Sequence, residues 1–544
     1  VQRGCGSVFC LLQALLRRTW QHSPRIWLVT RGVADLETTS PSIAQATLWG
    51  VGRVMSLEHP ENWGGLIDLS PHEGSGQLLE RDAEQLLSVL VDPEEDQVAF
   101  RGSHCYVARL MHPSPRQKLR SLPNLTEGTY LVTGGLGALG LRVAQWLVEL
   151  GAKQLVLTGR RGPSPQAQVE IDRFEKLGTQ ILVASVDVTD VSGMASLFDR
   201  VSKTCPPLKG IIHAAGVPGY QPMESIDRDT LLQVLRPKIV GTCVLHDLTQ
   251  ELDLDFFVLF SSIAAIWGSK GQAHYAAANA FLDSFADYRR SLGLPALSLS
   301  WGPWARGGMT SDEAQVWLSR MGIHALEPDL AIAALDYALR GLTGRVTVAS
   351  VDWSIFKGLY EARGRRPLLA LLQPEPASEV TETTVSNSAF IESLLQSPQA
   401  MRHRLLVTHL QQAVGKVLGF SAAQMPAPSQ GFFDMGMDSL TAIELKSQLE
   451  KSLGISLPAT LAFEAPTIAD LARYLEASYL PQASISSETE PLESDTENSM
   501  LLELADSSSD SLVTSPSDVE DAIVEDETSV TEKLDQLEAL LRGL

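Results

Sequence analysis

Four polar residues of this chain could together reduce a carbonyl group. Tyr275 stands in AHYAAANAF, and Lys238 lies upstream in RPKIVGT. A phenol with its ordinary pKa of about 10 donates a proton well only when the phenolate is stabilised. The ammonium of Lys238 is expected to lower the pKa of Tyr275 and to hold a nicotinamide ribose. Ser262 could donate a hydrogen bond to the carbonyl oxygen, and Asn279, one helical turn after Tyr275, could position the lysine or a relay water. We therefore predict that these four residues form a catalytic site, although each alone is more often structural.

A glycine-rich turn offers a site for the dinucleotide that such a reduction needs. TGGLGALG at 133–140 follows the apolar run YLV and precedes LRVAQWLVEL, which has a helical pattern. The glycine pattern alone is a weak signal. In a strand-turn-helix setting, however, it lets a pyrophosphate approach the backbone N–H groups at the positive helix end. We predict cofactor contacts from the whole turn, which consists of Thr133, Gly134, Gly135, Leu136, Gly137, Ala138, Leu139 and Gly140.

The ends of the next two apolar runs indicate which dinucleotide binds. Where an NAD site usually carries Asp or Glu for the ribose hydroxyls, this chain has Thr158-Gly159-Arg160-Arg161. The guanidinium of Arg160 would pair with a 2′-phosphate, which favours NADPH, and the alternative is a surface arginine pair. Asp187, after the following run, could accept a hydrogen bond from the adenine amino group or could merely cap its loop.

Apolar runs alternate with helical stretches over residues 1–372, and this alternation predicts an α/β fold with a parallel sheet covered on both faces. The runs that begin at 130, 154, 181, 210, 256, 297 and 346 are expected to form one doubly wound Rossmann sheet over 116–372. The runs at 26 and 65 lack a glycine fingerprint. They predict a Rossmann-like structural subdomain over 1–115, truncated at its start because the chain begins with Val.

The remaining residues divide into a linker, a helical unit and a tail. Residues 373–398 are rich in Pro, Glu and Thr and predict a linker, whereas 399–478 carry only helical patterns and predict an all-α four-helix bundle. Residues 479–518 are acidic and serine-rich and are expected to be disordered. Within 519–544, an apolar stripe predicts a short helix that folds against a partner; it consists of Val530, Leu534, Leu537 and Leu541.

Composition and charge argue against several classes of protein. The 544 residues predict about three to five folded units, and 44% hydrophobic residues are ordinary for a globular chain. The net charge of −22 argues against a nucleic-acid partner. Five cysteines without CxxC spacing predict no metal, no disulfide and a cytoplasmic location. The apolar run 8–16 is too short to span a membrane.

These motifs together resemble the ketoreductase domain of modular polyketide synthases, a pair of short-chain dehydrogenase/reductase subdomains of which only the second binds cofactor. The resemblance covers residues 1–372 and rests on TLWGVGRVMSLEHP, TGGLGALG, HAAG, LFSS, YAAANAFLD and LSWGPW, together with Lys238. Ordinary short-chain dehydrogenases carry Tyr-x-x-x-Lys, whereas Tyr275-x-x-x-Asn279 with a distant lysine is the pattern of polyketide and fatty-acid ketoreductases. The resemblance also implies cofactor contacts from Val188, Ala214, Ala215 and Gly216.

A second motif, GFFDMGMDSLTAIEL at 431–445, resembles the phosphopantetheine site of an acyl carrier protein. Ser439 follows Asp438 at a predicted helix start, where the positive helix end would meet a phosphate. The resemblance implies that a phosphopantetheinyl transferase attaches 4′-phosphopantetheine to Ser439. The linker would then raise the concentration of the tethered acyl thioester at the reductase.

Two features bear on stereochemistry. HAAG is followed by Val217-Pro218-Gly219-Tyr220, without the Leu-Asp-Asp motif of one ketoreductase group. Trp267 stands eight residues before Tyr275, as in the other group, called A-type. The resemblance therefore implies an L-configured β-hydroxyl product. The alternative for Trp267 is an aromatic residue that only packs.

The sequence thus predicts NADPH-dependent reduction of a carrier-bound β-ketoacyl thioester to the β-hydroxyacyl thioester within a modular polyketide synthase. The alternative is a catalytically silent reductase-fold scaffold that acts only in assembly, and the intact Tyr275, Lys238 and Ser262 argue against it. Because the chain has no GxSxG elbow and no condensing-type cysteine, upstream condensing and acyltransferase domains of the same polypeptide would extend the acyl chain. The tail would dock a downstream synthase subunit, and the full synthase would be a homodimer.

Overall fold

The computed structural model describes residues 2–479 apart from short gaps. The gaps are 35, 37–40, 72–76, 92–93, 114–119, 123, 307, 342–343, 362–365, 373–389, 391–393, 395–396, 421–424, 438, 456 and 459–460. Most of the predicted linker 373–398 therefore lies outside the described residues. The same holds for the predicted docking helix 519–544 and for the acidic segment before it, except Tyr479.

The first subdomain is built around a four-stranded sheet. Its strands are β1 Ile26–Arg31, β2 Trp63–Leu69, β3 Gln97–Arg101 and β4 His104–Val107, in the spatial order β1-β2-β3-β4. The first three strands are parallel and β4 runs antiparallel to β3. Helices accompany the sheet: α1 Gln2–Leu16, α2 Thr47–Glu58 and α3 Gln77–Val91. The sequence did not predict β3 or β4, and β4 is exposed along its length.

The second subdomain contains the predicted doubly wound sheet, and this part of the prediction is confirmed. Its strands are β5 Thr129–Thr133, β6 Gln154–Gly159, β7 Gln180–Ser185, β8 Leu208–His213, β9 Phe256–Ser262, β10 Leu297–Trp301 and β12 Gly344–Val348. Their order is β12-β10-β9-β8-β5-β6-β7, and every neighbouring pair is parallel. The crossover helices are α4 Ala138–Glu149, α5 Pro165–Lys176, α6 Val191–Thr204, α7 Arg228–Asp247 and α8 Ala273–Ser291.

The strand order reverses between β5 and β8, which defines where a ligand can bind. The chain moves outward from β5 to β6 and β7, then crosses back to place β8 on the other side of β5. In such sheets a crevice opens at the carboxyl ends of the strands at this switch point. Thr133 and His213, the last residues of β5 and β8, are register partners there. The fold therefore places the predicted glycine turn and the HAAG segment side by side.

Helices cover both faces of this sheet, which explains its continuous apolar strands. Along β5, Leu131 packs on one face with Val156 and Phe257, whereas Val132 packs on the other face with Leu157. All five residues of β5 are buried. A strand buried on both faces needs apolar side chains at successive positions, because neighbouring side chains point to opposite sides.

The chain after β10 closes the second subdomain. It forms α9 Asp312–Arg320, β11 Ile323–His324, α10 Pro328–Gly341, β13 Ser350–Val351 and α11 Trp353–Glu361. β11 and β13 pair antiparallel and have two residues each, too few to show a sequence pattern. Ile323 and Phe356 from this region join Trp267 in one buried apolar cluster.

Residues after 398 form the predicted helical unit, here called the carrier bundle. Its helices are α12 Gln399–Leu418, α13 Ser439–Leu453, α14 Leu461–Glu464 and α15 Ile468–Tyr479. Leu410, Leu445 and Leu471 lie in its buried core. Leu394 is also part of this core and Phe390 packs against it, so the carrier bundle begins within the segment predicted as linker. The sequence reasoning missed this although Phe390, Ile391, Leu394 and Leu395 have a helical spacing, because the residues before them are rich in Pro, Glu and Thr.

Within the described residues, no helix combines the length and the apolar character needed to cross a bilayer.

Candidate active site

The predicted nucleotide turn, residues 133–140, joins β5 to α4. Gly134 has a φ of +69°, a left-handed conformation that glycine adopts without strain. A Cβ on Gly140 would stand 2.3 Å from the carbonyl oxygen of Gly134, so no larger residue fits there. Gly137 begins α4 without a side-chain cap, which leaves the first N–H groups of the helix for an anion. The turn therefore fits a pyrophosphate.

The residues predicted to meet the adenosine end lie at the same edge of the sheet. Arg160 directly follows β6 and is exposed. Asp187 Oδ1 accepts hydrogen bonds from the N–H and the hydroxyl of Thr189, both at 2.8 Å, as the loop-capping alternative requires. Val188 is buried, and a Cβ on Gly241 would lie 2.7 Å from its Cγ1. The side chain of Val188 therefore packs inside the subdomain, which leaves its backbone for an adenine.

The HAAG segment links the glycine turn to the lysine. Ala214 donates its backbone N–H to the carbonyl oxygen of Thr133 at 3.1 Å, and Ala215 packs partly buried in the sheet core. A Cβ on Gly216 would lie 3.0 Å from Cε of Lys238, so the missing side chain admits the lysine stem. Ala214, Ala215 and Gly216 thus line the path from the glycine turn to Lys238.

A buried histidine stabilises this edge of the sheet. The hydroxyl of Thr133 lies 2.6 Å from Nδ1 of His213, and both residues are fully buried. Burial lowers the pKa of His213 to about 3, and the charge of Lys238 adds to this effect. The imidazole is therefore neutral at physiological pH. Sequence patterns did not single out His213, although its position at a strand end beside the glycine turn could have done so.

Lys238 reaches the predicted site from α7. Only 3% of the residue is exposed, and Nζ donates a hydrogen bond to the carbonyl oxygen of Phe260 at 2.7 Å. Nζ also lies 5.9 Å from the centroid of the Tyr275 ring. Burial lowers the pKa of Lys238 to about 8, and the negative charge of Asp283 opposes that shift. The fold thus holds an ammonium beside the tyrosine.

Tyr275 lies in the first turn of α8. Burial raises its pKa, and hydrogen bonding to the side chains of Asn279 and Ser262 opposes the rise. The predicted lowering of this pKa by Lys238 is not the net result, because desolvation by burial outweighs the two hydrogen bonds. The phenol is therefore protonated at neutral pH, and proton donation depends on stabilisation of the phenolate by the ammonium of Lys238.

Ser262 and Asn279 flank the tyrosine as the sequence predicted. Ser262 is the last residue of β9, and its hydroxyl oxygen accepts from the N–H of Ala264 at 3.2 Å. Asn279 is fully buried and donates from Nδ2 to the carbonyl oxygen of Tyr275 at 2.8 Å. Its Oδ1 has no hydrogen-bond partner within the described part of the chain. That oxygen is available to a water or to the lysine.

The predicted attachment residue Ser439 is the first residue of α13 in the carrier bundle. The turn before it is fixed by Phe432, which is fully buried and donates its N–H to the carbonyl oxygen of Pro466 at 2.8 Å. Gly436 has a φ of +90°, a conformation that requires glycine. Asp438 lies outside the described residues. The motif thus presents Ser439 at a helix N-terminus.

Known proteins share these features. Residues 128–306 match the family model of the KR domain, 408–475 that of the phosphopantetheine attachment site, and 1–110 that of the Rossmann fold domain of the polyketide synthase extender module SpnB. A solved structure of A-type ketoreductases from a modular polyketide synthase is 40% identical, with a TM-score of 0.62 over 68% of this chain and 76% of that chain. The chain belongs to the ketoreductases of modular polyketide synthases.

Curated relatives of this ketoreductase are much longer. Polyketide synthase GfsA of Streptomyces halstedii is 38% identical over 88% of this chain and 6% of its own length. Pikromycin polyketide synthase component PikAIII of Streptomyces venezuelae is 35% identical over 84% of this chain and 30% of its own length. The chain therefore spans less than a third of either relative, and its family context includes other domains of the same kind of synthase.

The cofactors of this family fit the residues present. Ketoreductase domains use NADPH, and phosphopantetheine-binding domains carry 4′-phosphopantetheine. The cradle between Gly134 and Gly140, which a Cβ would fill, is suited to the pyrophosphate of a dinucleotide.

Trp267 is buried and does not line an open cleft. Only 2% of this tryptophan is exposed, and its ring packs against Trp353 at 6.1 Å and Phe356 at 5.3 Å between centroids. This is the packing environment that the alternative interpretation expected. An influence of Trp267 on the configuration of the product therefore stays a prediction.

Proposed function

We propose that this chain reduces the β-carbonyl of an acyl thioester carried on its own Ser439 and yields the β-hydroxyacyl thioester. The observation that most supports this function is the meeting of Tyr275, Lys238 and Ser262 at the carboxyl edge of the seven-stranded sheet. The glycine turn for the dinucleotide lies at the same edge. A proton donor, a charge and a hydride source then converge on one carbonyl.

Each side chain has one role in the proposed reaction. When bound, NADPH supplies the hydride that the carbonyl carbon receives. Tyr275 donates its phenolic proton to the carbonyl oxygen, and Ser262 holds that oxygen by a hydrogen bond. The ammonium of Lys238 stabilises the phenolate that remains. Asn279 offers its unpaired Oδ1 to a water that returns a proton to the tyrosine.

The nucleotide is held along the carboxyl edge. The backbone of residues 133–140 cradles the pyrophosphate, and the Arg160 guanidinium pairs with the 2′-phosphate. Asp187 and Val188 border the adenine, while Ala214, Ala215 and Gly216 border the nicotinamide ribose near Lys238. These assignments rest on the position of each residue after its strand.

The carrier bundle would deliver the substrate in cis. Ser439 at the start of α13 accepts 4′-phosphopantetheine from a phosphopantetheinyl transferase, and the segment before the bundle tethers it to the reductase. In the domain division that we propose, 1–115 is structural, 116–372 catalytic, 373–398 mainly linker and 399–478 carrier. The packing of Phe390 and Leu394 extends the carrier core into that linker.

The wider assembly is part of the same proposal. Condensing and acyltransferase domains upstream in the polypeptide would extend the acyl chain, and the tail at 519–544 would dock a downstream synthase subunit. That tail lies outside the described residues, and the docking hypothesis rests on its apolar stripe. The full synthase would be a cytoplasmic homodimer. Deleting 519–544 should leave reduction in cis intact but end transfer to the downstream subunit, and unimpaired transfer would contradict docking.

The experiment loads the chain and follows one turnover. Incubation with a phosphopantetheinyl transferase and acetoacetyl-coenzyme A should add acetoacetyl-phosphopantetheine, which intact mass spectrometry detects. Addition of NADPH should then increase the mass by two hydrogens. Ser439→Ala should gain no mass in the first step, and Tyr275→Phe should load but not be reduced. A wild-type chain that loads and binds NADPH without reduction would refute the proposed function.

A further inference from the structure

One carboxylate of the first subdomain reaches the rim of the proposed active site. Glu58, the last residue of α2, accepts hydrogen bonds from the backbone N–H of Met223 at 2.9 Å and of Gly271 at 2.7 Å. Met223 lies between β8 and α7, in what we call the first rim segment, residues 217–226. Gly271 lies between β9 and α8, in the second rim segment, residues 267–272. A single side chain therefore joins the two segments.

Both rim segments leave the carboxyl edge of the sheet, where ligands of doubly wound sheets bind. The first follows Gly216 and leads into α7, which carries Lys238. The second follows Ser262 by one short turn and leads into α8, which carries Tyr275. The two rim segments thus border the proposed site beside the tyrosine.

The two segments also touch each other, so a shift in one is passed to the other. Gln221 donates its backbone N–H to the carbonyl oxygen of Gly271 at 2.6 Å. Gln272 donates from Nε2 to the carbonyl oxygen of Gly219 at 3.4 Å. Gly271 has a φ of +76°, and a Cβ there would lie 3.1 Å from the Tyr220 ring. The segments form one strip that Glu58 holds near its centre.

The first subdomain holds each segment at a second point. Gln13 of α1 donates from Nε2 to the carbonyl oxygens of Met223 and Ile226, both at 3.1 Å. In the second segment, a Cβ on Gly268 would lie 2.6 Å from the carbonyl oxygen of Arg53, so this glycine rests directly on α2. Glu58 differs from these contacts because it holds both segments.

We propose that Glu58 is a positioning residue for ketone reduction, which fixes the position of the rim by holding Met223 and Gly271 and so determines which face of the ketone meets the nicotinamide. The proposal rests on the proposed function. Glu58 contacts the reacting groups only through the two segments. A subdomain whose sequence lacks the glycine fingerprint of a nucleotide site thereby acts on the stereochemistry of the reaction.

The test compares full-length variants with the acetoacetyl thioester of N-acetylcysteamine and NADPH. Glu58→Ala removes both acceptors, and Glu58→Gln keeps the shape but replaces one oxygen by an amide nitrogen. Gln13→Leu releases the first segment alone. Glu61→Gln is the matched control, because Glu61 is exposed and its carboxylate faces His59 Nδ1 at 3.6 Å. The readouts are kcat, KM, the ratio of 3-hydroxy enantiomers, the NADPH Kd and the thermal midpoint.

We expect Glu58→Ala to lower kcat/KM about ten-fold, mainly through KM, because two charge-assisted hydrogen bonds are lost at the rim. The share of the minor enantiomer should increase, most in Glu58→Ala, less in Glu58→Gln and least in Gln13→Leu. The NADPH Kd should stay as in the wild type, since the glycine turn lies away from Glu58. Glu61→Gln should match the wild type throughout. If Glu58→Ala does not fold, the nearly isosteric Glu58→Gln carries the comparison.

Two results would overturn the proposal. Unchanged kcat/KM and enantiomer ratio in both Glu58 variants would remove any role in positioning. A lower thermal midpoint with an unchanged enantiomer ratio in these variants would show that the contacts of Glu58 only stabilise the fold. A wild-type chain that binds NADPH but reduces nothing would instead refute the proposed function, and this proposal with it.

Discussion

Gly50 of α2 lies directly against the backbone of Ala276, the residue that follows Tyr275. A Cβ built on Gly50 would stand 2.3 Å from the carbonyl oxygen of Ala276 and 2.6 Å from the nitrogen of Ala277. Side-chain atoms do not approach backbone atoms so closely. The two helices can therefore pack at this distance only because position 50 carries no side chain, and the first subdomain sets the position of the helix that carries the tyrosine.

Gly50→Ala should separate α2 from α8. We expect a loss of about 1–3 kcal/mol in the free energy of unfolding, as for other overpacked sites, together with a lower kcat. All ten tryptophans lie between residues 20 and 353, so tryptophan fluorescence during urea unfolding reports on the reductase alone. The control is Gly6→Ala on α1, where a Cβ would have nothing within 4 Å. Equal stability of the two variants would contradict the close approach.

Tyr275→Phe should abolish reduction of the ketone while NADPH still binds. The change removes the phenolic hydroxyl and its proton but little volume, so the packing at the start of α8 should persist. Single-turnover reduction and NADPH fluorescence titration measure the two properties separately. Turnover at the wild-type rate would show that another group supplies the proton.

The pH dependence should reflect Lys238. Burial lowers its pKa to about 8, so the ammonium loses its proton as the pH rises through that value. The neutral amine cannot stabilise a phenolate, and kcat/KM should therefore fall above about pH 8. In Lys238→Arg, whose guanidinium stays charged, the residual activity should lack this decline. A wild-type profile that stays flat between about pH 7 and 10 would contradict the role of the lysine.

Arg160→Ala should weaken the preference for NADPH over NADH. The guanidinium is exposed after β6, where a 2′-phosphate would lie, and NADH has no such group. The ratio of kcat/KM for the two cofactors measures the effect, and we expect at least a ten-fold drop in that ratio, about 1.4 kcal/mol. Arg161→Ala is the neighbouring control. An unchanged ratio in Arg160→Ala would assign the 2′-phosphate to another residue.

The product should be predominantly the L-configured 3-hydroxyacyl thioester. The chain lacks the Leu-Asp-Asp motif after HAAG, and Trp267 stands eight residues before Tyr275, which is the pattern of the A-type group. Chiral chromatography of the product released from Ser439 measures the proportions of the L and D forms. A mainly D product would contradict the A-type assignment and leave the reductase function untouched.

The parts of the fold that the sequence predicted well are those with strong local patterns. Central strands of the large sheet, such as β5, β6 and β9, have apolar residues at successive positions because helices cover both faces, and this produces runs that stand out. The strands β4, β11 and β13 did not stand out, since β4 is exposed and the other two have two residues each. Leu394 was assigned to a linker because the preceding residues, rich in Pro, Glu and Thr, outweighed the short helical spacing of Phe390, Ile391, Leu394 and Leu395.

The sequence by itself determined the chemistry of this protein. The types and spacing of Tyr275, Asn279, the glycine turn and the serine motif of the carrier bundle specify a reductase and a tether, because turns and helix starts are decided by neighbouring residues. The tertiary structure alone decided how the site is held. Glu58 binds backbone groups 165 and 213 residues away, and Trp267 packs beneath α11. Periodicity indicates that a residue is buried but not which distant residue lies against it. The directions of the pKa shifts of Lys238 and Tyr275 depend on how the folded chain buries these two side chains.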